Sequence, residues 1–227
     1  MDYTLYREEV NMSLQRITFD TREDWLAGRT EQGIGGSEAA AAIGLSPWQS
    51  QLDLWRLKSR QAQPKDLSEN AAVQQGVKWE PILRDLFRKT HDEYIVEHHP
   101  YDILFQSERP WLFATLDGEI VERATNRKGI LEIKTATPSG KAGWEKWNNG
   151  NMPIHYLVQC EHQLLATGYD FVRLFACLFS LDGSCTIRTY EIEQEDVVED
   201  MTWLLQKETE FYGYVQRGIM PPMTLAL

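Results

Sequence analysis

The residues whose types and spacing suit catalysis sit mid-chain: Asp117, then Glu132-Ile133-Lys134. Alternate residues of a strand share a face. With 129–135 read as a strand, Glu132 and Lys134 point one way and Leu131 and Ile133 the other. A carboxylate and an ammonium on one face of an apolar strand are costly to bury without partners. Asp117 ends the preceding apolar run, just before Gly118, and a hairpin over 117–134 brings it beside Glu132. Two carboxylates and a lysine at a sheet edge make a hard oxygen site for Mg²⁺, with a cation nearby to position or deprotonate water. The same residues also suit a salt-bridged hairpin in which Glu132 pairs with Lys134 and Asp117 begins an Asp-Gly turn. That spacing occurs by chance in many proteins.

Three further features bear on the choice. Glu80 lies in GVKWEP, a carboxylate on a long helix that otherwise reads as a surface acid. Tyr156, Gln159 and Gln163 fall at i, i+3 and i+7, one polar face of a helix that can line a cleft. Arg29 precedes Gly35-Gly36-Ser37, and a helix start with free N–H groups, a hydroxyl and a nearby Arg is a phosphate site, or simply an N-cap. The five histidines and three cysteines have no zinc-like spacing, and His162 reads as a partly buried helix residue. Trp144 and Trp147, among Lys141 and Lys146, read as packing residues.

The elements that must hold these groups follow from periodicity and turn residues. Thr21 with Asp24 opens a helix. Ser37 caps EAAAAIG, Ser50 opens QLDLWRLKSR, and Ser68 or Asn70 opens a helix to about residue 91, with a kink or break expected at Pro81. Short runs rich in Ile, Val and aromatics at 94–99, 101–106, 111–115, 118–123 and 129–135 read as strands. A helix at 154–167 ends at Gly168, two more strands join through Leu-Asp-Gly, and a helix at 194–216 carries apolar residues on one side and acids on the other. The expected fold is α/β in one domain over 1–227: a helical part at about 20–91, a mixed central sheet flanked by helices at about 94–193, and the terminal acidic helix.

The 227 residues carry 42% hydrophobic and 25% charged side chains, which excludes a disordered or low-complexity chain. No apolar run approaches a membrane span, the first fifteen residues do not read as a secretory signal, and an odd number of cysteines suits reduced thiols in the cytoplasm. The net charge of −11 argues against a generic nucleic-acid binder, but it is unevenly placed. Residues 191–210 hold eight acids and one base, whereas 123–146 hold six bases and two acids. Such a chain can hold a polyanion in one groove and repel it elsewhere, or can simply expose two solvated faces.

In order, Arg29, GIGGSEAAAAIG, GVKWEP, ATLDGEI, LEIKTA and HYLVQCEHQLLATG resemble the lambda-type phage exonucleases, the viral recombinase family, from about Trp25 to Gly168. The resemblance implies a restriction-endonuclease-like core and an Mg²⁺-dependent exonuclease, with Mn²⁺ as a substitute. It implies digestion of one strand of linear double-stranded DNA from the 5′ end, leaving a 3′ overhang for single-strand annealing. It also implies a homotrimeric ring, an annealing-protein partner, and a phage or prophage protein in a bacterial host. By motif position, Asp117 and Glu132 resemble the metal ligands, with the Ile133 carbonyl as a further one. Lys134 resembles the lysine that organises the attacking water, and Glu80 the helix carboxylate supporting the metal. Gln159 and Tyr156 look like the polar helix residues beside the scissile phosphate, and Arg29 and Ser37 like phosphate binders. Gly140 stands where an Arg contacts the terminal phosphate, and Lys141 is the expected substitute. A compact fold of this length has a radius of gyration of about 17 Å, so enclosing a duplex takes several subunits; the basic stretch is then expected to face the channel and the acidic helix the outside. A non-catalytic DNA-binding module and a repair endonuclease of the same fold are the competing functions.

Overall fold

The computed structural model describes residues 13–222. Helix starts follow the side chains that can accept orphan backbone N–H groups. Thr21 accepts from Asp24 at 3.1 Å and opens α1 (Arg22–Gln32). Ser50 accepts from Asp53 at 3.1 Å and opens α3 (Gln51–Lys58). Asn70 accepts from Ala72 and Val73 and opens α4 (Ala71–Thr90). Ser37 does not cap. The short helix α2 (Gly36–Ala42) starts one residue earlier, and the Glu38 carboxylate reaches back to the Gly35 N–H at 3.0 Å. With two glycines before it, Ser37 is drawn into the first turn and its hydroxyl is left for another partner.

Pro81 neither ends nor interrupts α4, which runs through it for 20 residues. Proline denies a hydrogen bond to the carbonyl four residues back, here that of the exposed Val77, and water can serve a carbonyl there.

Among the described residues, nine strands form two sheets where a single central sheet was expected. The smaller has the order β1-β4-β5-β2, from β1 (Leu14–Thr18), β2 (Ile34–Gly35), β4 (Asp102–Gln106) and β5 (Leu112–Ala114). The sequence reading missed β1, whose five residues are mostly exposed and carry little apolar signal. The larger has the order β3-β6-β7-β8-β9, from β3 (Tyr94–Glu97), β6 (Gly118–Glu122), β7 (Lys128–Ala136), β8 (Phe171–Phe179) and β9 (Cys185–Glu193). Only β7 and β8 run parallel in this sheet. A parallel pair needs a crossover connection. It contains the short α5 (Gly140–Glu145), not anticipated, and α6 (Ile154–Thr167), which Gly168 ends at φ 69°.

Two apolar clusters cover the two faces of the larger sheet. Ile130 of β7 and Val172, Leu174 and Ala176 of β8 pack with α6 residues Leu164 and Leu165. Leu131 and Ile133 of β7 and Phe171 and Phe175 of β8 pack with α4 residues Leu83 and Phe87. Strand β8, buried on both sides, is therefore an almost continuous apolar run. The last helix, α7 (Val198–Arg217), follows a 3₁₀ turn at Gln194–Val197 and buries Met201, Leu204, Glu208 and Phe211. The expectation that its acids all face outward is corrected by Glu208, which occupies a core position.

Candidate active site

Alternation along β7 decides which side chains reach the site. Leu131 and Ile133 go into the α4 cluster, so Glu132 and Lys134 face α6. Antiparallel pairing of β6 with β7 sets Gly118 opposite Leu131, which places Asp117 just beyond the ladder, across from Glu132. There its Oδ2 accepts the Ile133 N–H at 2.8 Å. Helix α4 brings Glu80 to the same space, and α6 brings Gln159 and Gln163. Together with Arg29, Ser37, Thr115 and Thr135 these residues line one open cavity of about 310 Å³.

Glu132 is 1% exposed and meets three donors. Gln159 Nε2 donates to Oε1 and Gln163 Nε2 to Oε2, each at 2.6 Å, and Lys134 Nζ stands 2.5 Å from Oε1. Burial alone lowers the Lys134 pKa, but Glu132 and Asp117 outweigh it and hold the amine well above its ordinary value, so it is an ammonium. Its Nζ lies 5.2 Å from the Tyr156 ring centre. Glu80 pairs with Arg84, whose Nε donates to the Asp117 carbonyl at 2.6 Å. Burial raises the Glu80 carboxyl, Arg84 opposes that, and Glu132 adds to it.

Asp117 is different. Burial first, then Glu132, then Glu80 push its carboxyl well above the usual range. Among the described residues it has no ion-pair partner. A half-buried carboxylate with no direct ion pair, next to a second carboxylate and a main-chain carbonyl, is the donor chemistry of a hard divalent ion. Among the described residues no three His, Cys, Asp or Glu side chains close around a common point. Mg²⁺ does not need that: it is commonly held by one or two carboxylates, with water and substrate phosphate completing the shell. The residues present therefore fit such an ion.

Arg29 and Ser37, the pair expected to bind phosphate, are brought together. Arg29 Nη2 donates to the Ser37 hydroxyl at 3.2 Å and stacks over Trp25 at 4.7 Å. Burial draws its pKa down, and Glu38, Asp117 and Glu132 oppose that. Lys141 is not brought in. It lies on α5, its side chain is 90% exposed, and its nearest acid is Glu145 at 3.7 Å. The basic stretch does not form one face either. Strand β7 carries the chain about 30 Å. At one end Arg127 pairs with Glu193 and Arg123 donates to the Asp92 carbonyl; Lys141 and Lys146 lie past the other end.

Two further residues of the site carried a sequence signal that was not used fully. Arg84 is four residues after Glu80, the spacing of a helix ion pair. Gly36 leaves room where a Cβ would come within 3.3 Å of both Gln159 and Gln163, so glycine there lets α2 lie against α6.

The model of the YqaJ-like viral recombinase domain matches residues 24–170, about two thirds of the chain. This chain belongs to that family. The YqaJ-like chain is 29% identical over 198 residues to the uncharacterized protein YqaJ of Bacillus subtilis (strain 168), covering 85% of itself and 56% of that relative. It thus spans about half the length of the curated relative it matches. Its fold is that of an alkaline exonuclease from Laribacter hongkongensis, at 19% identity and TM-score 0.58 over 86% of this chain and 97% of the other. That enzyme in complex with dAMP gives TM-score 0.59 over 86% and 93% of the two chains. A phage-related exonuclease from Haemophilus somnus 129PT gives 0.52 at 12% identity, over 83% and 96%. Alkaline exonucleases have the restriction-endonuclease-like fold, and this chain shares it. Among the described residues of the YqaJ-like chain, no helix is long and apolar enough to cross a membrane.

Proposed function

We propose that this chain is an Mg²⁺-dependent exonuclease that digests one strand of linear double-stranded DNA from its 5′ end. The observation that carries the reading is Asp117, a half-buried carboxylate with no direct ion pair among the described residues, beside Glu132 and Lys134 in an open cavity. The family and the fold of alkaline exonucleases support it. Asp117, Glu132 and the Ile133 carbonyl would hold the ion, which when bound stabilises charge on the reacting phosphate and lowers the pKa of water. Mn²⁺ would substitute.

The chain's own residues then have separate tasks. Lys134, an ammonium, cannot take a proton; it orients the attacking water and opposes developing negative charge. Gln159 and Gln163 fix the Glu132 carboxylate, so its geometry is set before substrate arrives. Arg84 holds Glu80 beside the cavity. Arg29 and Ser37 supply a guanidinium and a hydroxyl for a terminal phosphate, and Tyr156 stands over Lys134 where the scissile group enters.

The reading extends to a homotrimer enclosing the duplex, to a 3′ overhang passed to a single-strand annealing protein, and to a phage or prophage setting. Digestion of a linear duplex, with and without Mg²⁺, is the test, on 5′-phosphorylated, 5′-hydroxyl and closed circular DNA. Mg²⁺-dependent loss of linear DNA only, faster from the 5′-phosphate, is expected. Cutting of circles would favour an endonuclease, and binding without digestion a non-catalytic module. Light scattering reports the assembly, and a monomer that digests long duplexes without dissociating would sink the ring.

A further inference from the structure

The loop between α2 and α3 carries Trp48, which is 69% exposed. A single exposed apolar side chain is ordinary on a protein surface; this indole is set apart by the rings it packs on. The loop does not leave it loose: Ser46 Oγ accepts the N–H of Trp48 and of Gln49, each at 3.3 Å. The indole meets the His155 ring edge-on, with centres 4.5 Å apart, and the Tyr156 ring at 6.2 Å. His155 and Tyr156 are themselves 4.2 Å apart, and Tyr156 covers Lys134. A stair of three rings therefore descends from the surface to the ammonium beside Glu132.

His155 takes no charge in this setting. Burial, then Lys134 and Lys146, push its pKa down to about 4, and its Nε2 is buried without a hydrogen-bond partner. It offers an apolar brace under the indole. Alongside runs an open groove in which Leu45, Pro47 and Met152 lie beside His155, one cation, Lys146, and one acid, Glu145. Aromatic faces of this kind receive nucleobases whatever their sequence, because every base has a π-face.

We propose that Trp48, braced by His155 and Tyr156, is a stacking platform for a nucleobase of the DNA strand that leads into the Asp117–Glu132–Lys134 cavity. The inference rests on the nuclease reading above and adds a subsite to it. With a rise of about 3.4 Å per stacked nucleotide, the two ring steps place the platform a few nucleotides from Lys134. The occupant is a base that has left its pair, since an indole reaches a π-face only when the partner strand is not covering it. The platform thus favours a frayed end over an intact duplex interior.

The test uses metal-free full-length protein and oligonucleotide duplexes carrying 2-aminopurine at successive positions from the 5′ end, in each strand. The wild type is expected to quench the fluorophore at one or two positions near the end. Trp48→Ala should remove that quenching and weaken binding about tenfold, and Trp48→Phe should retain part of both. An abasic nucleotide at the quenched position should weaken wild-type binding and leave Trp48→Ala unaffected. Quenching and affinity unchanged in Trp48→Ala would overturn the platform. So would a change of oligomeric state in light scattering, which would assign the indole to a contact between copies. Mg²⁺-dependent digestion by the wild type is measured separately, so loss of the nuclease reading and loss of the platform give different results.

Discussion

The two sides of α6 hold the same ingredients and use them differently. Toward the cavity, Gln159 and Gln163 reach Glu132, with Lys134 beside it and Asp117 across from it. Toward the core, His162 is 0% exposed: Nδ1 meets Glu208 at 2.7 Å and Nε2 meets the Phe113 carbonyl at 2.9 Å. Both imidazole nitrogens face acceptors, so both need a proton, and the ring is satisfied only as a cation. Burial lowers the His162 pKa, but Glu208, the Phe113 carbonyl and Glu38 together raise it. The core side is thus a sealed pair joining α6 to α7 and β5, with the second Glu208 oxygen buried and without a hydrogen-bond partner. The cavity side gathers Asp117, Glu132 and Glu80 with Lys134, Arg84 and Arg29 around an opening to solvent. Clustered charge with access marks a candidate site; a charged pair sealed from solvent marks a structural one.

Substitutions on the two sides should separate activity from stability. The largest effect is expected at Asp117→Asn and Glu132→Gln, with digestion lost by a thousandfold or more and DNA binding retained. Asp117→Asn should also leave the thermal midpoint equal or higher, because it removes a charge repelled by Glu132 and Glu80 while an amide oxygen can still accept from Ile133. A variant at either position that digests DNA at near-normal rates would place the chemistry elsewhere. Next come His162→Ala and Glu208→Ala. Each strands a buried charge and should cost about 3–5 kcal/mol in denaturant unfolding, while the folded fraction keeps its rate. Equal stability in both would mean that the sealed pair holds nothing together.

The pH dependence sharpens the same contrast. Glu161, beside the sealed pair, has its carboxyl pushed up to about 7, by burial and then by Asp200 and Glu208. Its folded pKa lies above the unfolded value near 4.3. Its contribution is therefore present at low pH and is lost as pH rises through about 7. The raised His162 acts in the same direction, losing its contribution as pH climbs through its folded pKa. Melting midpoints should fall from mildly acid to neutral pH, and Glu161→Gln should flatten that slope. The smallest effect is expected at Gly36→Ala. A methyl there meets Gln159 and Gln163 at 3.3 Å, so digestion should slow severalfold with little change in melting.

What the sequence made legible follows the same division. The Asp117 to Lys134 arrangement needed only strand alternation and one hairpin, both local, and the polar face at 156, 159 and 163 needed only helix periodicity. Caps at Thr21, Ser50 and Asn70 are also local. The sealed pair depended on contacts 46 residues apart, and composition disguised it: Glu208 sits in an acid-rich run, yet it shares the i, i+3, i+7, i+10 stripe of Met201, Leu204 and Phe211. Position outweighed residue type there. Lys141 failed in the opposite way, since nearness in sequence to the site said nothing about which side of a short helix would face it.

The join between His162 and Glu208 also has a timetable. Synthesis at roughly 5–20 residues per second delivers α7 some one to four seconds after β9. Until then a nascent chain has every residue that lines the cavity, but α6 carries an imidazole with no carboxylate to meet it. The last helix is the clasp that sets α6 in place, and with it the glutamines that hold Glu132.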